Sequence, residues 1–291
     1  MGAAGLNVLR RLRRLGSRGD GRSNGAKSSA PDGSAIRHRS EKALKRRITT
    51  KGGSVVPRGR PGDAWKGRRN RALLDQAEVD AAVKEVRALG LVPHPDRPKN
   101  WDLTVALGTI LERTTADATV LEMGAATYSP LLVWLYQYGY RDLHGIDLVY
   151  DAPGYRGPIL FQPMDLTQTT FDDATFDAIG CLSVIEHGVP FDAYLAEARR
   201  VLKPGGMLVT STDYWATPVD TAGITAYGTP VRILDEAAIG AFLDEARRQG
   251  FTPETPLDPS CRDKVVHWDA TGLDFTFLVV TLVAPGAVAG T

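Results

Sequence analysis

Three carboxylates in this sequence stand at matching places, each at or just past the end of a short apolar run. Glu122 follows Val120 and Leu121, Asp147 follows the run from Leu143, and Asp165 follows Ile159 to Met164. Gly124, Ala125 and Ala126 come directly after the first as a small-residue turn, which lets the backbone approach a ligand closely. Asp147 lies 23 residues beyond Gly124. That distance suits a ribose diol, whose two hydroxyls can donate to one carboxylate. Asp165 suits an adenine amino group, and Glu122 suits either an ammonium group or the organisation of the turn itself. The set favours a nucleoside ligand bearing a cation over a dinucleotide. The turn reads GAATYS, with one glycine where a dinucleotide fingerprint has three, and no Gly-Lys-Ser/Thr is present to cradle a triphosphate.

A second group of reactive types follows later apolar runs. Glu186 and His187 leave the run FDAIGCLSVI, and Asp213, Tyr214 and Trp215 leave MLVTST. His187 is the first candidate for a general base, because imidazole titrates near neutrality. Asp213 is the second. The alternative for His187 is a structural role capping the next helix. Glu186, His187 and Asp213 as ligands of a hard divalent metal is a weaker reading, since no ligand spacing supports it, and no metal is expected. Trp101 is either a core anchor or an aromatic wall of the ligand site.

These residues need elements to carry them. Val79, Val83, Val86 and Leu89 follow helical spacing from Asp75 to Leu89, with Gly90 as the stop. Pro93, Pro95 and Pro98 form an extended connector. Asp102 is placed to cap a second helix, Leu103 to Leu111. Strand and helix then alternate: strands near 118–122, 143–148, 159–164, 176–185, 207–212 and 275–283, and helices from Pro130, from Phe191 and over 235–249. A further short strand is expected near Phe251. Lys203-Pro204-Gly205-Gly206 ends the helix from Phe191, and the long connector 216–232 reads as a lid or substrate loop. Such alternation gives an α/β fold with a doubly wound, mostly parallel sheet and helices on both faces. Ligands bind such sheets beyond the carboxyl ends of the strands.

Charge divides the chain. Residues 1–72 hold 20 Lys/Arg against 4 Asp/Glu, and residues 73–291 hold 15 against 30. The first block has one aromatic residue, Trp65, and reads as a disordered basic tail. Leu6, Leu9, Leu12 and Leu15, interleaved with arginines, suit a short amphipathic helix on an anionic surface, with a solvated tail as the plainer reading. The Arg-rich, acid-poor start also resembles an organelle transit peptide. Met1-Gly2 lacks the Ser or Thr that myristoylation wants, because Leu6 stands there. Residues 73–283 are expected to form the folded domain, with 73–117 contributing helices and 118–283 the sheet core, and residues 284–291 are expected to fray. Cys181 and Cys261 make neither a disulfide framework nor a zinc spacing, which fits a cytoplasmic location. No apolar run reaches the roughly 20 residues of a membrane-spanning helix.

The segments VLEMGAATYSP, GIDL at 145–148, MDL at 164–166, FDAIGCLSVIEH at 176–187 and RVLKPGGMLVTS at 200–211 resemble, in order and spacing, the motifs of class I S-adenosylmethionine-dependent methyltransferases. The resemblance covers about residues 100–283. It implies a Rossmann-like fold with a seven-stranded sheet whose last strand is antiparallel, and S-adenosyl-L-methionine as cofactor. By position it implies that Glu122, Gly124 and Ala125 line the methionine part, that Asp147 binds the ribose, and that Leu148 packs on adenine. Asp165 with Leu166 would meet the adenine edge, and Ser183 would lie near the sulfonium. The sequence departs from the family's acidic-x-Gly-x-Gly-x-Gly at Ala126 and Tyr128, which stand at the second and third glycines.

The leading expectation is O-methylation of a small molecule such as a sugar, a glycan precursor or a secondary metabolite. Trp215, Asp220 and Tyr227 of the connector would then contact the acceptor. The alternatives are methylation of RNA or protein, with the basic tail supplying phosphate contacts, and a non-catalytic binding protein on the same fold.

Overall fold

The computed structural model describes residues 57–126, 129–226 and 228–286. The mostly parallel sheet has six principal strands. In chain order the strands are β1 (Arg71–Ala72), β2 (Thr119–Met123), β3 (Asp142–Ile146), β4 (Gly154–Arg156), β5 (Ile159–Gln162), β6 (Phe176–Leu182), β7 (Leu202–Tyr214), β8 (Thr225–Ala226), β9 (Thr229–Pro230), β10 (Thr252–Pro253), β11 (Val266–Trp268) and β12 (Leu273–Val283). The helices are α1 (Gln76–Ala88), α2 (Lys99–Arg113), α3 (Leu131–Gln137), α4 (Phe191–Val201) and α5 (Glu236–Arg248). The main sheet runs β12-β7-β6-β2-β3-β5, with β4 beyond β5 at one edge. β2, β3, β5, β6 and β7 are parallel, and β12 is antiparallel to β7. β1, β10 and β11 are short antiparallel additions to β12, and β8 and β9 form a separate hairpin.

The central strands are buried on both faces, which is why they read as apolar runs rather than as alternating ones. Side chains still alternate between two cores. Val120, Ala178, Val209 and Val279 join the core under α1, α2 and α3. Leu121, Ile179, Leu208 and Leu278 join the core under α4 and α5. Asp75 caps α1 by accepting the Glu78 N–H at 3.1 Å, and Asp235 caps α5 by accepting the Ala238 N–H at 2.8 Å.

From β2 the chain winds outward to β3 and β5, then returns to β6 on the other side of β2. The strand order therefore reverses between β2 and β6, and the crevice at their carboxyl ends is where such sheets bind ligands. Gly124 leaves β2 with φ +75°. A Cβ at that position would overlap Val184, which leaves β6, so both backbone and space demand glycine.

Several boundaries differ from the sequence expectations. Folded structure extends back into the block assigned to the tail. Trp65 is buried against Gly108, Arg68 pairs with Glu85 at 3.1 Å, and the Asn70 amide donates to the Thr255 carbonyl at 2.9 Å. One aromatic anchor and two satisfied polar groups hold a segment that composition alone assigned to disorder. Residues 1–56 lie outside the described residues. Asp102 does not cap α2, because the helix begins at Lys99 and buries Asp102 in its first turn. Lys203 to Gly206 do not separate α4 from the next strand but belong to β7, with a register shift between Phe176 and Ala178. At the other end Ala284 is buried and donates to the Gly206 carbonyl at 2.8 Å, so fraying does not begin there. Residues 287–291 lie outside the described residues. Among the described residues no helix is long and apolar enough to cross a membrane.

Candidate functional site

The crevice is built from strand ends. Glu122 is the fourth residue of β2 and is buried. Its Oε1 accepts from the Ser129 hydroxyl, and its Oε2 is enclosed without a hydrogen-bond partner. Burial pushes the Glu122 carboxyl up to about 7, against the opposing effects of Ser129 and the Leu132 N–H. Glu122 therefore braces the turn against the start of α3. Ala125 is pinned on two sides: its N–H donates to the Ile146 carbonyl at 2.9 Å, and its own carbonyl accepts from the Tyr150 hydroxyl.

Asp147 follows β3, half-buried, and its Oδ1 accepts the Val149 N–H at 2.9 Å. Leu148 and Val149 beside it are exposed, an unusual position for two consecutive large apolar residues. Asp165 lies past the end of β5, which stops at Gln162 rather than at Met164. Its Oδ1 takes both the N–H and the hydroxyl of Thr167, at 2.9 and 2.7 Å. Leu166 is half-buried against the α4/α5 core. Ser183, just past β6, adopts φ +53°, a left-handed conformation costly for a residue with a Cβ. Its N–H donates to the Ser211 carbonyl at 3.0 Å.

Next to Ser183 stands a cluster that the sequence only partly announced. The Lys99 ammonium, from the first turn of α2, donates to the Ser183 hydroxyl and to Asp102 Oδ2 at 3.1 Å. Asp102 Oδ2 also accepts the Ser211 hydroxyl at 2.6 Å. Glu186 and Asp213 are both buried, and the Thr212 hydroxyl donates to Glu186 Oε2 at 3.2 Å. Burial pushes Glu186 up to about 7 despite the Lys99 charge. Burial and the neighbouring Glu186 push Asp213 well above the carboxylate range. His187 ends a 3-10 turn, Ile185–His187, and its ring meets the Trp268 ring edge-on with centroids 6.4 Å apart. Burial and Lys99 push its imidazole down to about 4, so it is neutral at pH 7. Among the described residues no three His, Cys, Asp or Glu side chains are arranged to hold a metal ion.

Not every expected residue reaches the crevice. Trp101 is wholly buried in the core under α2, with Arg71 5.7 Å from its ring centroid, and offers no wall to a ligand. Trp215 is half-buried under Lys264, 4.9 Å from its ring centroid, while Asp220 is exposed and accepts the Ala222 N–H. Tyr128 and Tyr227 lie outside the described residues. Sequence reasoning missed Lys99 altogether. Its one signal was position, directly after Pro98 at the end of the Pro-rich connector.

Residues 121–210 match the family described as "Methyltransferase domain". Solved structures similar to this chain include an S-adenosylmethionine-dependent methyltransferase from Mesorhizobium loti, at 17% identity, covering 62% of this chain and 97% of that one, with a TM-score of 0.44. A geranyl diphosphate C-methyltransferase from Streptomyces coelicolor A3(2) is 13% identical, with coverage of 84% and 98% and a TM-score of 0.47. A 1,6-didemethyltoxoflavin-N1-methyltransferase from Burkholderia thailandensis is 19% identical, with coverage of 90% and 93% and a TM-score of 0.41. At these identities and scores the solved structures say nothing about the methyl acceptor. The matched segment spans β2 through β7, the strands that frame the crevice. The matched residues 121–210 are a methyltransferase domain on an α/β fold. The strand ends would accommodate S-adenosylmethionine: position 124 admits only glycine, which leaves the backbone open to close approach, and Asp147 follows β3 beside the exposed Leu148 and Val149.

Proposed function

We propose that this protein O-methylates a small molecule, with the acceptor lying between the cofactor crevice and the His187–Asp213 side. In this reading Asp147 holds the ribose hydroxyls, Leu148 and Leu166 flank the adenine, and Asp165 meets its amino group. Gly124 and Ala125 pass along the methionine part, and Ser183 lies near the sulfonium. When bound, the cofactor supplies an electrophilic methyl group. The protein supplies alignment, which is the larger share of such catalysis. It also supplies a destination for the proton of a hydroxyl acceptor.

The observation that carries the reading is the joint placement of a neutral imidazole and a carboxyl pair at the ends of β6 and β7. His187 is deprotonated at pH 7 and able to accept a proton. Trp268, against the His187 ring, supplies an aromatic surface that suits a sugar or a ring. The test is a mass-spectrometric search for a product one CH2 heavier in a metabolite extract given the cofactor. His187→Ala should retain cofactor binding and lose turnover by about 10²- to 10⁴-fold, the usual worth of a general base. Undiminished turnover would remove His187 from the reaction.

The charge of the chain favours a second reading, in which residues 1–56, with 14 Lys/Arg and 3 Asp/Glu, bring an RNA to the site. That reading requires turnover to vanish when the segment is removed.

A further inference from the structure

Four residues close a ring of hydrogen bonds across the strand ends. The Lys99 ammonium donates to the Ser183 hydroxyl and to Asp102 Oδ2 at 3.1 Å. The same Asp102 oxygen accepts the Ser211 hydroxyl at 2.6 Å. The Ser183 N–H returns to Ser211, donating to its carbonyl at 3.0 Å and to its hydroxyl oxygen at 3.2 Å. The ring ties the first turn of α2 to the residue after β6 and to β7. The ammonium also rests 4.3 Å from the centroid of the Phe277 ring, whose face favours a positive charge. The Lys99 side chain is 18% exposed and that of Asp102 is 0% exposed. Protein groups thus hold the ammonium, and it acts on a ligand through them.

Ser183 is the strained member of the ring. Its φ of +53° is left-handed, and it is held there by both its N–H and its hydroxyl. Its conformation sets where the chain goes next. Val184 follows, and its side chain fills the space that a Cβ on Gly124 would need. Gly124 opens the turn after β2, and the N–H of the next residue, Ala125, donates to the Ile146 carbonyl at 2.9 Å. A continuous path therefore runs from Lys99 through Ser183 and Val184 to that turn: a hydrogen bond, a peptide bond and a packing contact. An ion pair serving the fold alone would not need a strained serine at its end. Glycine adopts the left-handed region without that cost.

We propose that Lys99 is a positioning residue for the cofactor turn: by holding the Ser183 hydroxyl it fixes Val184 against Gly124, and so sets the shape of the backbone that S-adenosylmethionine meets. Its bearing on that ligand rests on the functional reading above, whereas its bearing on the turn does not. Asp102 and Ser211 act as its mount, because one Asp102 oxygen receives both the ammonium and the serine hydroxyl. Lys99 is the first residue of α2, so the seating of that helix is linked to the shape of the turn.

The experiment is a double-mutant cycle on S-adenosylmethionine affinity, read by calorimetry, with denaturant unfolding to establish that each variant is folded in the assay. Lys99→Met keeps an unbranched stem and removes the donor. Ser183→Gly keeps the left-handed backbone and removes the hydroxyl. Lys99→Met alone should weaken binding about tenfold. In the Ser183→Gly background it should change binding by less than about twofold, because the ammonium has no hydroxyl left to hold. An equal loss in both backgrounds, or no loss in either, would overturn the proposal. If Lys99→Met unfolds because Asp102 has lost its counter-charge, the cycle is run on Asp102→Asn, which keeps an oxygen for Ser211 and should show the same pattern. Failure of Lys99→Met/Asp102→Asn to fold would also overturn the proposal, since Lys99 would then serve the fold.

Hydrogen exchange of the cofactor-free protein gives a readout that needs no ligand. Lys99→Met should speed exchange of the Ser183 and Ala125 N–H groups by about tenfold, the first because the ring is opened and the second because the turn is released. The Ala284 N–H, bonded to the Gly206 carbonyl near the other end of β7, should exchange at the wild-type rate. Unchanged exchange at Ala125 would overturn the proposal, and so would equal acceleration at all three groups, which marks general loosening. Faster exchange at Ala125 in Lys99→Met, together with no S-adenosylmethionine binding by the wild type, would overturn the cofactor reading and support the positioning of the turn.

Discussion

Glu122 and Asp147 both end strands, yet their surroundings give them different work. Glu122 is sealed against Ser129 with one oxygen enclosed, whereas Asp147 stands at the crevice beside exposed Leu148. Asp147→Ala should therefore weaken S-adenosylmethionine binding by about 10- to 100-fold, or ~1.4–2.7 kcal/mol, with little change in unfolding. Calorimetry checks it, and unchanged affinity would remove the ribose assignment. Glu122→Gln should act on stability instead. The folded Glu122 value lies near 7, above that of the unfolded chain, so its contribution is full below about pH 4.5 and is lost as pH rises through about 7. A glutamine keeps the shape without that loss. The stability of Glu122→Gln relative to wild type should thus grow by about 1–3 kcal/mol between pH 5 and pH 8, as read by denaturant unfolding. The three acids were legible because each follows an apolar strand. Lys99 was not, because Asp102 and Ser211 are 109 residues apart and only the packing of α2 across the strand ends joins them. Glu186 and Asp213 were legible as exits of two later strands, and those strands, β6 and β7, are neighbours in the sheet.

At the scale of elements, the alternation of strands and helices was legible, since buried parallel strands leave apolar runs between helical faces. The segment from Pro57 to Ala72 was not, because it is anchored by one tryptophan rather than by a periodic face. Trp65 fills the space left by Gly108 on α2, where any Cβ would enter its ring. Arg68 adds a bond to Thr104 Oγ1 at 3.3 Å, and β1 adds a strand to β12. Trp65 thus holds α2 from outside while Lys99 and Asp102 hold it from the site. Trp65→Ala should lower stability by about 3–5 kcal/mol, the usual cost of removing a buried large aromatic side chain. A chain beginning at Leu73 should be destabilised at least as much, while one beginning at Pro57 should unfold like the full chain. Chemical denaturation of the three checks the order. A chain beginning at Leu73 with full stability would return the segment to the tail.

Over the whole molecule the basic block 1–72 runs 16 residues into the described fold, which begins at Pro57. Residues 57–291 carry 21 Lys/Arg and 31 Asp/Glu, so the methyltransferase body is acidic and repels polyanions as a unit. Any affinity for RNA or an anionic surface must come from residues 1–56, and it must depend steeply on salt, because it rests on released counterions. The full chain should therefore bind single-stranded RNA with log K falling by about 0.7 per phosphate contact for each decade of salt. A chain beginning at Pro57 should not bind RNA, yet should keep its affinity for S-adenosylmethionine within about twofold, because Asp147, Gly124 and the Lys99 cluster all lie in the body. Turnover of small molecules then separates the two functional readings. If it persists without the first block, the tail serves location and the acceptor is chosen at His187 and Trp268. If it disappears with the RNA binding, the acidic crevice works on a substrate that the basic segment delivers.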